Sequence, residues 1–195
     1  MQPIRVFIGY DPNETVAYHV LANSIIRQSS VPVSITPLML KQLPMTRPRD
    51  VHQSTEFSFS RFLVPYLCDY KGKAIFLDCD MLFRMDIKDL FKQASDPYAS
   101  VSVVQHNYTP KTDSKFLDQK QSKYAKKNWS SLMIFNNEKC LSLTPETVNK
   151  ESGMYLHQFE WTQDIGSIPK SYNHLVGEYE PNPDAKIVHY TLGTP

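Results

Sequence analysis

"KAIFLDCDML", residues 73–82, sets an apolar run against two carboxylates. The run "AIFL" is short, continuous and rich in large apolar residues, which reads as a buried strand. Asp78 and Asp80 follow at once, with Cys79 between them, and a second apolar run, "MLF", resumes behind them. Residues i and i+2 of a strand share a face, so both carboxylates are expected to converge on one point. Carboxylates that close repel one another unless a cation lies between them. Hard oxygen donors suit Mg2+ or Mn2+, ions that also bind substrate phosphates. The plainer reading is a turn, where aspartate is common. Polar turn residues seldom sit between two apolar runs, and that favours the cation.

Working outward, "IRVFIGYD" (4–11) reads as a second buried strand with a tight exit at Gly9. A helix is expected over 12–30, with Val16, Ala17, Val20, Leu21, Ser24 and Ile25 at helical spacing and Asp11 or Asn13 as cap. "VPVSITPLML" (31–40) returns to strand, which completes a β-α-β unit. In "SFSRFLVPYLCDY" (58–70), Phe59, Phe62, Leu63, Tyr66 and Leu67 lie on roughly one helical face, and Pro65 fits only in a first turn. Further strands are expected at 98–104, 130–136 and 185–195, with short helices at 86–93 and 144–152. Residues 105–128 interrupt this alternation with Lys111, Lys115, Lys120, Lys123, Lys126 and Lys127. That segment reads as a solvated excursion or a lid. The whole is one α/β domain over 1–195, a mostly parallel mixed sheet flanked by helices.

Composition narrows the partners. A formal net charge of +1 over 195 residues offers no field for nucleic acid, and no basic face accompanies the aromatics. No stretch approaches the apolar length of a membrane span, so no membrane insertion is expected. Cys68, Cys79 and Cys140 are three, widely spaced and without a CxxC pair. That argues against a disulfide framework or structural zinc and fits a cytoplasmic chain.

Three further features bear on the carboxylate pair. His189, in "KIVHYTLG", closes a β-branched run, and an imidazole would add a softer third ligand of a kind that suits Mn2+. Gly193 beyond it can let backbone N–H groups approach a phosphate. Arg61 sits in an otherwise apolar helix and needs an anion, from the protein or from a phosphate. At the end of the first strand, Asp11 can accept from a base or ribose or simply cap the helix, and Tyr10 can stack on a ring.

The order "VFIGYD", "SFSRFLVPYL", "KAIFLDCDMLF", "HYTLG" resembles the GT-A, Rossmann-like, nucleotide-sugar glycosyltransferases, nearest to the glycogenin-like and galactosyltransferase-like family 8 group. More distantly it resembles the transferase domain of a large-virus capsid-glycan enzyme. The resemblance implies that Asp78, Asp80 and His189 hold Mn2+ (or Mg2+) against the diphosphate of a donor, UDP-sugar being favoured. It implies that Gly9, Tyr10 and Asp11 line the nucleotide pocket, that Cys79 makes contact through its backbone, and that Arg61 lies near the donor sugar or phosphates. Gln163 and Asp164 match the place of an acidic or amide residue beside the donor sugar. Asp164 would be the base of an inverting reaction, whereas a retaining one needs no strong base. At 128–131, "NWSS" stands where the family has Asn-Ala-Gly, so Ser130 and Ser131 would meet the donor sugar. The acceptor would be a glycan or glycoprotein hydroxyl, and the chain is expected to continue in a longer protein. Two other readings stand beside this one. One is a non-catalytic sugar-nucleotide or glycan-binding module. The other is a nucleotidyltransferase, which the absence of a Gly-rich, basic loop after the first strand disfavours.

Overall fold

The computed structural model describes residues 2–49, 53–107 and 125–193. A six-stranded sheet runs in the order β2-β1-β3-β6-β5-β7. Its strands are β1 (Ile4–Gly9), β2 (Val33–Leu38), β3 (Lys73–Leu77), β5 (Val101–Val104), β6 (Leu132–Asn136) and β7 (Ile165–Ile168). β1 pairs parallel with β2 and β3, and β5 parallel with β7. β6 is antiparallel to both β3 and β5, so the other five strands share one direction. The sheet is thus mixed and mostly parallel, as the alternating pattern predicts.

The strand interiors are apolar because both faces are covered. Ala74, Ile75, Phe76 and Leu77 of β3 are all fully buried, as are Leu132, Met133 and Phe135 of β6. Gly9 ends β1 where the chain passes the Phe57 ring. A Cβ there would stand 2.3 Å from a ring carbon of this buried phenylalanine, so close packing, not a turn, demands the glycine.

The helix α1 (Thr15–Gln28) buries Ala17, Leu21, Ser24 and Ile25. Val16 and Val20, counted above on the same face, are instead 77% and 49% exposed. The buried stripe is narrower than the sequence pattern because it is set by what lies opposite. Asp11 caps not α1 but the 3-10 turn Pro12–Glu14 before it, accepting from Asn13 N at 2.9 Å. Residues 58–70 form a 3-10 turn, Ser60–Leu63, running into the single-turn α2 (Val64–Leu67). Pro65 lies in its first turn, where a missing N–H costs nothing. Phe59, Phe62 and Leu63 are buried, but Tyr66 and Leu67 turn outward. The short helices α3 (Ile87–Gln93), α4 (Pro145–Lys150) and α5 (Gly153–His157) are capped by Asp86, Thr144 and Ser152.

A second, three-stranded sheet has the order β4-β9-β8, built from β4 (Met81–Phe83), β9 (Ile187–His189) and β8 (His174–Leu175). β4 begins directly after Asp80. It is held to α1 by Ser24, whose hydroxyl donates to Leu21 O at 2.8 Å and accepts from Phe83 N at 3.1 Å. β4 and β9 pair antiparallel in the register Met81↔His189. Among the described residues no helix is long and apolar enough to cross a membrane. Lys111, Lys115, Lys120 and Lys123 lie outside the described residues, whereas Lys126 and Lys127 lie within them.

Candidate functional site

Asp78, Cys79 and Asp80 form the turn between β3 and β4, not the end of a strand. Strand geometry therefore does not align the two carboxylates. The turn does so, and the β4–β9 register brings His189 to meet them. Tyr190 N donates to Asp80 O at 2.9 Å and extends that pairing by one bond. One ligand atom from each of Asp78, Asp80 and His189 lies within 4.8 Å of the others. His189 Nε2 is 3.2 Å from Asp80 Oδ1, a buried oxygen that accepts no hydrogen bond among the described residues. Two carboxylates and an imidazole make a donor set that fits a divalent cation such as Mn2+ or Mg2+.

Asp78 and His189 are each held from behind. Asp78 Oδ1 is 2.8 Å from Arg61 Nη1 in a nearly buried ion pair, and Asp78 N donates to Ser131 O at 2.8 Å. The same guanidinium donates to Ser130 O at 3.0 Å and to Phe57 O at 3.3 Å, and lies 4.9 Å over the Phe76 ring. The anion that Arg61 needs is thus supplied by the protein. His189 Nδ1 is 2.9 Å from Asn173 Oδ1, and Asn173 Nδ2 donates to Ser131 Oγ at 2.8 Å. Ser131 Oγ in turn donates to Asn128 O at 2.7 Å.

The three ligands open into a cleft of about 120 Å3 also lined by Asp11, Glu14, Arg49, Thr55, Asn128 and Gly193. Ligands of open α/β sheets collect at the carboxyl ends of the strands, and the cleft lies at those ends of β1 and β3. Asp11 lines it with both oxygens engaged, Oδ1 by Asn13 N and Oδ2 by Glu56 N at 3.0 Å. Gly9 and Tyr10 sit behind it, Tyr10 edge-on to Tyr18 with ring centres 5.4 Å apart. The Ser130 hydroxyl is 2.8 Å from His157 Nδ1, so both serines of "NWSS" spend their hydroxyls on protein partners. Asn128 adopts a left-handed φ of 61°, which asparagine tolerates. Trp129 Nε1 donates to His106 O at 2.8 Å and secures the segment from the other side.

Gln163 and Asp164 are not brought to the cleft. They are exposed and precede β7, and Ser100 N, just before β5, donates to Asp164 O at 2.8 Å. β7 runs parallel to β5, so these residues lie at the amino end of the sheet, opposite Asp78. The family resemblance implied a place beside a donor sugar. Strand direction removes them from the cleft. Glu14, Arg49 and Asn173 were missed, since no local pattern marks them.

Cys79 is fully buried and its thiol donates to Glu14 Oε2 at 3.2 Å. Burial, then the charge of Asp80, raises the Glu14 carboxyl to about 7, although the thiol's hydrogen bond pulls the other way. A carboxyl whose folded pKa is raised binds its proton more tightly than in the unfolded chain. Its contribution therefore favours folding below about pH 4.5 and is lost as the pH climbs to about 7. Glu14→Gln is expected to raise the melting temperature of the metal-free protein at pH 8 and leave it nearly unchanged at pH 5. The half-exposed setting limits the gain to about 1–2 kcal/mol, and thermal melts at both pH values read it.

Comparison with known proteins supplies the class and then the family. The chain has the fold of the GT-A glycosyltransferases. Its structure matches mouse xyloside xylosyltransferase 1 with a TM-score of 0.65 at 11% identity, over 100% of this chain and 99% of that one. It matches the WbbM bifunctional glycosyltransferase with a TM-score of 0.63 at 14% identity, over 98% of this chain but only 46% of that one. In sequence it is 46% identical over 207 residues to Protein CDI of Arabidopsis thaliana, covering 100% of this chain and 80% of that protein. The chain belongs to the same family as Protein CDI. No family model matches it.

Proposed function

We propose that this chain is a family-8-like glycosyltransferase that moves a sugar from a nucleoside diphosphate sugar, UDP-sugar being favoured, to a glycan or glycoprotein hydroxyl. The observation that carries the proposal is the meeting of Asp78, Asp80 and His189 at the mouth of one cleft on a GT-A fold. These three residues would hold Mn2+ or Mg2+, which when bound acts as a Lewis acid on the departing diphosphate. The rest falls to the protein. Arg61 holds Asp78 in place and balances its charge. Arg49, exposed on the cleft wall, offers a guanidinium to the phosphates. The backbone at Gly193 lies open to them. Asp11, itself fixed by two backbone donors, keeps acceptor capacity for a nucleoside N–H or hydroxyl. Transfer then depends chiefly on positioning donor and acceptor and on excluding water.

The test is release of nucleoside diphosphate. Incubated with UDP-sugars and Mn2+, the protein is expected to hydrolyse its donor slowly, and faster with a competent acceptor. Chelation should stop both. Cation-dependent donor binding with no release, across UDP-, GDP- and dTDP-sugars and candidate acceptors, would instead support the binding-module reading.

A further inference from the structure

The proton positions behind His189 can be read from one end. Ser131 Oγ carries a single proton, and Asn128 O at 2.7 Å is a carbonyl that only accepts. That proton is therefore committed, and Ser131 Oγ must accept from Asn173 at 2.8 Å. Asn173 thus turns its NH2 to Ser131 and its Oδ1 to His189 Nδ1, 2.9 Å away. An amide oxygen only accepts, so Nδ1 bears the proton. Nε2, 3.2 Å from Asp80 Oδ1, is left as the nitrogen that faces the cation site. Asn173 is fully buried, and a buried amide hydrogen-bonded at both its nitrogen and its oxygen orients its neighbours far more firmly than an exposed one.

We propose that Asn173 is the positioning residue of the metal centre, fixing His189 in the one tautomer that can bind a divalent cation. The relay reaches a second ligand, because the Ser131 that receives the Asn173 amide also accepts the Asp78 N–H through its carbonyl. A single side chain thereby couples the turn carrying the carboxylates to the strand carrying the imidazole. Asparagine suits the task because it donates and accepts at once. Leucine would fill the same space and do neither. The inference rests on the metal reading above, with a readout that does not require the metal.

In the metal-free protein, 1H–15N spectra are expected to show a proton held on His189 Nδ1 and hydrogen-bonded to Asn173. In Asn173→Leu that Nδ1–H signal should be lost or strongly shifted. Mn2+ titration should show affinity about 10–100-fold weaker in Asn173→Leu, the range set by loss of an outer-shell partner. Asn173→Asp keeps the acceptor for Nδ1 but offers Ser131 no donor, so its Mn2+ affinity should fall between those of the wild type and Asn173→Leu. Should Asn173→Leu fail to fold, Ser131→Ala removes the orienting acceptor with little loss of volume and should weaken Mn2+ binding in the same direction. An unchanged Nδ1–H signal, or wild-type Mn2+ affinity in these variants, overturns the role of Asn173 and leaves the metal site standing. A wild-type protein that takes up neither Mn2+ nor Mg2+ overturns the metal reading and this role with it.

Discussion

Asp80→Ala is expected to abolish the gain in donor affinity that Mn2+ confers, a loss on the order of 100-fold, since a direct ligand should matter at least as much as an outer-shell partner. The choice of residue follows from the geometry. Asp78 is tied to Arg61 and cannot be removed without stranding a buried guanidinium. Asp80 has His189 beside it, and the turn's backbone bond, Tyr190 N to Asp80 O, survives the substitution. Removing a carboxylate from a crowded acidic corner also relieves repulsion. The metal-free variant should therefore fold at least as stably as the wild type, which separates lost binding from lost structure. Calorimetric titration of a UDP-sugar with and without Mn2+ reads the effect. If the variant keeps the full benefit of Mn2+, Asp80 is not a ligand.

Arg61→Met is expected to have the largest effect on stability. Arg61 is 5% exposed and bonds Asp78, Ser130 O and Phe57 O at once. Methionine keeps much of its length but takes the Arg61 charge away from Asp78 and leaves two carbonyls with one donor fewer. Breaking a buried pair from one side costs about 3 kcal/mol or more, because the surviving charge stays desolvated. For a domain of this size that lowers the melting temperature by roughly 6–12 °C. The double variant Arg61→Met with Asp78→Asn should recover a good part of the loss, since both charges of the pair are then removed together. Differential scanning calorimetry of the metal-free set checks this. Simple additivity of the two single losses would show that Arg61 acts through packing and not through Asp78.

The parts of the fold legible in the sequence were those whose signal is local. β1, α1 and β2 announced themselves through apolar runs of one period and then another. β3 did so through "AIFL". Thr144 before Pro145 and Asp86 before Ile87 marked helix starts because a side chain needs only its own next turn to cap. Pairings between distant residues left no such mark. β8, of two residues, is too short for any periodicity. β9 was legible as a strand in "KIVH", but not the partner strand against which it delivers His189. The mistaken position of Gln163 and Asp164 has the same origin. The resemblance matched their place along the chain, but the direction of β7 is fixed only by its parallel partner β5.

The candidate site divides along that line. The donor types could be read from the sequence, because two aspartates and a histidine suit a divalent cation by their chemistry. That Asp78 and Asp80 would act together was also legible, from their place between two apolar runs. How they come together was decided in three dimensions, by a turn where a strand was expected and by the register Met81↔His189. Tertiary structure alone also decided that Arg61 answers to Asp78, that Glu14 holds the thiol between the aspartates, and that Asn173 stands behind His189. A side chain's chemistry is a property of its residue, but its partner is a property of the packing. Thus "DCD" carried the two carboxylates in its letters, while the imidazole that meets them had to be brought from the far end of the chain.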